Sequence, residues 1–100
     1  MTRRLCRHAD LGKTGHFCYR YIGAGATQGT VFANGTPVLR RGDPAFTHTI
    51  LRGRRCKDHK ANIKSGSSTV FCQGIPVARV DDSFDLARMI QGSNNVFAGG

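Results

Sequence analysis

Short apolar runs separated by tight-turn residues dominate this chain. The run Val31-Phe32-Ala33 is followed by Asn34-Gly35 and then by Pro37-Val38-Leu39-Arg40. Asn-Gly between two apolar runs favours a two-residue β-hairpin, because both residues tolerate positive φ. Gln73-Gly74 occupies the same place between two later apolar runs. The pattern therefore predicts two similar hairpins, each with a proline at the start of its second strand, where no donor N–H is required.

The two hairpins belong to an internal repeat. Residues 30–43 read TVFANGTPVLRRGD, and residues 69–82, which start 39 positions later (69 − 30), read TVFCQGIPVARVDD. A truncated third copy lies at residues 95–100, NVFAGG, and its missing half is supplied by Arg7-His8-Ala9-Asp10 near the start of the chain. The repeat is thus threefold, with its third copy divided between the two ends of the chain.

Each unit runs from an aspartate to a Val-Phe pair, over residues 10–32, 43–71 and 82–97. An isoleucine followed by a Gly/Ser turn precedes each Val-Phe pair; these are Ile22, Ile63 and Ile90. Residues 83–90, with Ser83 as a cap, are the one segment with a helical pattern. We expect a single all-β, loop-rich domain over residues 1–100, built from three hairpin-like repeats with pseudo-threefold symmetry.

Composition limits how this fold is stabilised. A chain of 100 residues with 13 Gly, no Trp and no Glu has a thin core, and folds of this kind often need a disulfide or a metal. No signal peptide or membrane-spanning run is evident, so we expect synthesis in the cytoplasm, where thiols stay reduced. The four Cys and four His then indicate metal ligands rather than disulfides.

The repeat separates these residues into two groups. Cys6 aligns with Leu39 and Ala78, and Cys72 aligns with Ala33, so both cysteines are interpreted as core residues. His8 aligns with Arg41 and Val80, which indicates no shared metal role. The remaining candidates lie in the variable loops and include a Cys-x-x-His pair; they are His16, Cys18, His48, Cys56 and His59. Such donors suit a closed, tetrahedral zinc site.

The segments Pro37-Val38-Leu39-Arg40 and Pro76-Val77-Ala78-Arg79 resemble the Pro-Ala-Ala-Arg motif of PAAR-repeat proteins. The resemblance covers nearly the whole chain, with Arg4 at the position of the third proline. It implies a small β cone whose broad base caps the trimeric β-helical spike of a type VI secretion system or a contractile phage tail. It also implies a structural zinc ion at the apex, held by three His and one Cys.

Within this chain, that ligand complement corresponds to His16, His48, Cys56 and His59, with Cys18 as an alternative to His48. The implied function is structural: one monomeric tip per spike trimer, which sharpens the spike for piercing the target cell envelope without stable membrane insertion and without nucleic acid. The implied location is the distal tip of a phage tail or secretion spike.

The sequence also bears on two other classes of function, an enzyme and a nucleic-acid-binding module. No G-x-S-x-G, H-E-x-x-H or P-loop motif is present, and Cys56 with His59 lacks an orienting third group, so we expect no enzyme. The net charge of +9 suits an acidic partner or simply a solvated surface. The basic run at residues 52–60 indicates an alternative function, a small zinc module that binds nucleic acid through phosphate contacts.

Overall fold

A computed structural model describes residues 2–14, 21–46, 48–52, 55–59, 61–85 and 87–100, with the backbone alone for 48–52 and 55–59. Twelve strands occur in these ranges: β1 (Thr2–Arg4), β2 (Leu11–Lys13), β3 (Tyr21–Gly23), β4 (Phe32–Ala33), β5 (Thr36–Pro37), β6 (His48–Arg52), β7 (Arg55–His59), β8 (Phe71–Cys72), β9 (Ile75–Pro76), β10 (Ser83–Phe84), β11 (Ala87–Met89) and β12 (Phe97–Gly99). The described ranges contain no helix, so none that could span a membrane. The all-β prediction is confirmed, in a molecule of 42 × 26 × 22 Å.

Three short antiparallel pairs repeat the same register. In β4–β5 Phe32 pairs with Pro37, in β8–β9 Phe71 pairs with Pro76, and in β12–β1 Phe97 pairs with Arg4. The first two pairs are closed by the predicted turns, whose residues all have positive φ: Asn34 at 55°, Gly35 at 75°, Gln73 at 53° and Gly74 at 79°. The third pair joins strands from opposite ends of the chain, as the divided repeat predicts.

A closed ring of backbone hydrogen bonds joins the three units. The N–H of Cys6 donates to the carbonyl of Ala78 (2.9 Å), Ala78 donates to Leu39 (2.9 Å), and Leu39 donates back to Cys6 (3.0 Å). All three residues are fully buried, and they belong to one apolar cluster. Because each bond joins equivalent atoms of successive units, the ring establishes the pseudo-threefold axis of the fold.

A second set of equivalent residues packs in the same cluster, and here the sequence alignment was wrong in detail. Ala24, Ile63 and Met89 donate their N–H groups to the carbonyls of Asp10, Asp43 and Asp82, respectively. Ala24 and Met89 therefore hold the buried position that Ile63 holds in the second unit. Ile22 and Ile90 are only partly buried, because the buried position lies seven residues before the Val of each Val-Phe pair and they lie at other spacings.

The predicted helix at residues 83–90 is also wrong. Ser83 pairs with Arg88 and Phe84 with Ala87 in a hairpin, and Met89 continues the sheet by pairing with Gly12. Asp85 adopts φ 44° in the turn. Phe84 is buried, and its ring occupies the space where a side chain at position 12 would stand. Packing of Phe84 over Gly12 thus favours a strand pair where local sequence favours a helix.

Candidate docking face and metal centre

Three phenylalanines are exposed at equivalent positions of the three short strand pairs. Phe32, Phe71 and Phe97 have 52%, 54% and 52% of their surface accessible. Each is paired across its strand with position 37, 76 or 4. Rotation about the ring axis conserves height along that axis, so the three rings lie at one level of the molecule. They form an apolar triad, which is unusual on a free surface and typical of a contact site.

A side-chain cap fixes the turn before each member of the triad. In the second unit the Ser67 hydroxyl accepts the N–H groups of Thr69 (3.1 Å) and Val70 (2.9 Å), and in the third unit Ser93 accepts those of Asn95 and Val96. In the first unit, Gln28 has the same role through its Oε1 atom. These bonds satisfy the backbone N–H groups of the residues that precede each exposed phenylalanine.

An arginine and an aspartate connect neighbouring units at each step of the ring. The backbone N–H groups of Arg7, Arg40 and Arg79 donate to Oδ2 of the aspartate three residues later, at 2.7, 2.8 and 2.6 Å. The guanidinium groups of Arg7 and Arg79 also form ion pairs with Asp10 and Asp82. All three aspartates are buried. These arginine–aspartate contacts are therefore partly interior elements of the fold.

The same arginines reach across to the hairpin turns. Arg7 Nη1 donates to Asn34 Oδ1 (3.3 Å), and Arg40 Nη1 donates to Gln73 Oε1 (2.9 Å). Arg79 Nη1 donates to the carbonyls of Gly99 and Gly100. The two hairpin turns and the C-terminal end of β12 are thereby connected to the arginines that contact the buried aspartates, which fixes the strand pairs that carry the triad.

Among the metal-ligand candidates, His48 and His59 lie directly opposite each other in the β6–β7 register. Opposite positions of an antiparallel pair share one face and are the closest cross-strand neighbours. Cys56 is opposite Leu51, and its odd separation from His59 places it on the alternate face of a regular strand. His16 and the alternative ligand Cys18 lie outside the described residues. The hairpin thus brings two of the predicted donors together through its backbone register.

The residues excluded from the metal set have other partners. His8 accepts the N–H of Ala26 at Nδ1 (3.0 Å) and contacts the ring of Phe46 edge-on. Cys6 and Cys72 are buried, which confirms them as core residues. Burial raises the pKa of the Cys6 thiol, and that thiol donates to the carbonyl of Gln91 (3.2 Å). Where side chains are described, His, Cys and Asp form no cluster of three or more that would hold a metal.

The chain is similar to one known protein family in particular. The model of the PAAR motif family matches residues 21–85. The matched segment includes both Pro-x-x-Arg sequences, two members of the apolar triad, and the whole of β6–β7. A search of the curated proteins finds no match.

Proposed function

The chain belongs to the PAAR-motif family, which is associated with the spikes of contractile injection machines, and we propose that it is a structural spike tip. In this role one monomer caps the end of a trimeric β-helical spike and sharpens it for piercing a target envelope. Assembly follows synthesis in the cytoplasm and takes place at the distal end of a secretion spike or phage tail.

The apolar triad is the observation that supports this proposal most directly. Three exposed phenylalanines related by pseudo-threefold symmetry match the symmetry of a trimer, because each subunit can contact one ring in the same way. A monomer with one exposed aromatic, or with three unrelated ones, offers no such match. The capped turns that precede the triad residues limit the loss of side-chain and loop entropy on binding.

A structural role also fits the chemistry of the described side chains. The buried carboxylates are occupied by arginine and backbone donors, and the buried Cys6 thiol is held protonated. These groups stabilise the fold rather than face a substrate. The family itself is structural rather than enzymatic, so mechanical work by a rigid body is the activity proposed here.

We further propose that His16, His48, Cys56 and His59 bind one zinc ion at the narrow end of the molecule. The support is the donor chemistry together with the register of β6–β7, in which two histidines occupy opposite positions. Zinc at such a site would cross-link the long hairpin to the segment that carries His16, and so stabilise a part of the chain that is poor in apolar residues.

Native mass spectrometry tests the spike-tip assignment. The purified chain is mixed with a recombinant trimeric β-helical spike fragment from the same source, and the expected product contains one tip per three spike chains. A nucleic-acid module would instead bind duplex or single-stranded DNA with an affinity that falls steeply with salt. Tight, salt-dependent DNA binding without any spike complex would contradict the proposal.

A further inference from the structure

One position breaks the pseudo-threefold symmetry of the docking face. Arg4 pairs with Phe97 where Pro37 and Pro76 pair with the other two members of the triad. The side chain of Arg4 is exposed. Over the ranges that the structure describes, its guanidinium forms neither a hydrogen bond nor an ion pair. A single unpaired positive charge therefore stands next to one of three equivalent aromatic rings.

A polar cleft opens beside this charge. Its volume is about 290 Å³, and its walls include Arg4, Arg7, Asp10, Gln91 and Asn94. Asp10 is already engaged by the backbone N–H and the guanidinium of Arg7. The Arg7–Asp10 pair is neutral as a unit, so Arg4 gives the cleft a net positive charge, and the side-chain amides of Gln91 and Asn94 add potential donors.

The equivalent arginines of the other two units have different surroundings. Arg79 is equivalent to Arg7, but its side chain is only 4% exposed, against 25% for Arg7. Arg79 Nη2 donates to the carbonyl of Gly66 (3.0 Å), and Arg40 Nη2 donates to the hydroxyl of Thr27 (3.0 Å). These contacts close the corresponding spaces in their units.

At the position of Thr27 the second unit carries Gly66, whose carbonyl accepts Arg79 Nη2, and the third unit carries Gly92. A β-carbon there would come within 2.9 Å of the Leu5 carbonyl oxygen, so the backbone packing itself disfavours a larger residue. The opening beside Arg4 and Arg7 is therefore a consequence of local packing.

We propose that this cleft receives a carboxylate side chain of the trimeric spike, which pairs with Arg4 when Phe97 docks. The inference rests on the proposed function, since it assigns a chemistry to the same partner. Guanidinium and carboxylate match in charge and in planar geometry. A trimer presents the carboxylate three times, so whichever subunit meets Phe97 supplies it, and the tip binds equally well in all three orientations.

The symmetry of the fold offers a well-matched variant, Arg4→Pro. Leu5 N donates to Val96 O (2.9 Å), so in the alternating antiparallel pattern Arg4 and Phe97 are a pair without ladder hydrogen bonds. Proline already occupies this position in the other two units. The variant therefore removes the charge while keeping the strand pair.

Arg41→Ala, which removes an exposed arginine outside the cleft, is the control for net charge.

Binding of the spike fragment is measured for each variant by calorimetry at several salt concentrations. Arg4→Pro is expected to weaken binding by about tenfold and to reduce its salt dependence, since a charged contact at the rim of an interface is screened by salt. Arg4→Glu is expected to weaken it further, and Arg41→Ala to leave it unchanged.

Equal weakening by Arg4→Pro and Arg41→Ala would overturn the inference, as would an unchanged affinity in Arg4→Pro and Arg4→Glu. Each of these results would leave the spike-tip assignment intact, because the unaltered chain still binds. Failure of the unaltered chain to bind the spike fragment would overturn both. Thermal unfolding of each variant verifies that the fold is kept.

Discussion

His48 and His59 are register partners in the β6–β7 hairpin, although ten residues separate them in the chain. This relationship brings two donors of the proposed zinc site into register through a local hairpin. Each of the four proposed ligands can be tested separately by substitution.

Elemental analysis of the purified protein should give one zinc per chain. His59→Ala is expected to lose the metal and to lower the thermal unfolding temperature, because structural zinc and folding are coupled. His8→Ala is the matched control, since its ring already accepts the Ala26 N–H and contacts Phe46. Zinc retained at one equivalent in His59→Ala would refute the ligand set.

Cys56→Ser tests the member of the set with the least support from strand register. Loss of zinc in this variant, with retention in Cys18→Ser, would assign the sulfur ligand to Cys56. Loss of zinc in both variants would indicate that Cys18 binds the ion in place of His48. The measurement is again metal content, with circular dichroism to verify that the strands form.

Phe71→Ala should weaken spike binding by about tenfold or more, because aromatic anchors carry much of the free energy of an interface. Its effect on the free energy of unfolding should be small, since 54% of the residue surface is exposed. Tyr21→Ala removes an aromatic side chain of similar exposure, 53%, outside the triad. Spike affinity equal in the two variants would contradict the docking face.

Asp82→Asn should destabilise the protein strongly. Asp82 is 1% exposed and accepts hydrogen bonds from the Arg79 backbone and guanidinium, from Arg3 and from the Ser65 hydroxyl. Breaking a buried charge network of this kind costs about 3–5 kcal/mol, because its arginine is left uncompensated.

Asp81→Asn is the internal control for this measurement. The Asp81–Arg88 pair is more than half exposed on both sides, so its loss should cost less than about 1 kcal/mol. Asparagine also tolerates the φ of 77° found at this position. The free energies of unfolding of the two variants are measured in urea. Similar losses in both would show that the buried carboxylate has no special structural role.

Gly12→Ala should be destabilising because a β-carbon there would lie 2.2 Å from Phe84 Cδ2 and 2.9 Å from Met89 Sδ. Overpacking of this kind typically lowers the free energy of unfolding by about 1–3 kcal/mol. A β-carbon at Gly29 meets nothing within 4 Å, so Gly29→Ala should change stability by no more than about 0.5 kcal/mol. Thermal unfolding distinguishes the two, and equal stability would argue against close packing of β2 on Phe84.

Local sequence was sufficient for the parts of this fold that depend on short-range rules. The hairpins at Asn34-Gly35 and Gln73-Gly74 follow from residues that tolerate positive φ, and their recurrence predicted three units with one divided between the chain ends. The burial of Cys6 and Cys72 followed from the same alignment.

Tertiary structure decided what depends on contacts between distant segments. Phe84 becomes part of a strand because it packs over Gly12, against the local helical pattern. Ala24 and Met89, rather than Ile22 and Ile90, take the buried position because backbone hydrogen bonds to Asp10 and Asp82 set the register. The cleft beside Arg4 lies between residues from the two ends of the chain, which are adjacent only after the ring closes. Burial and ring closure are properties of the assembled chain, and no short window of residues contains them.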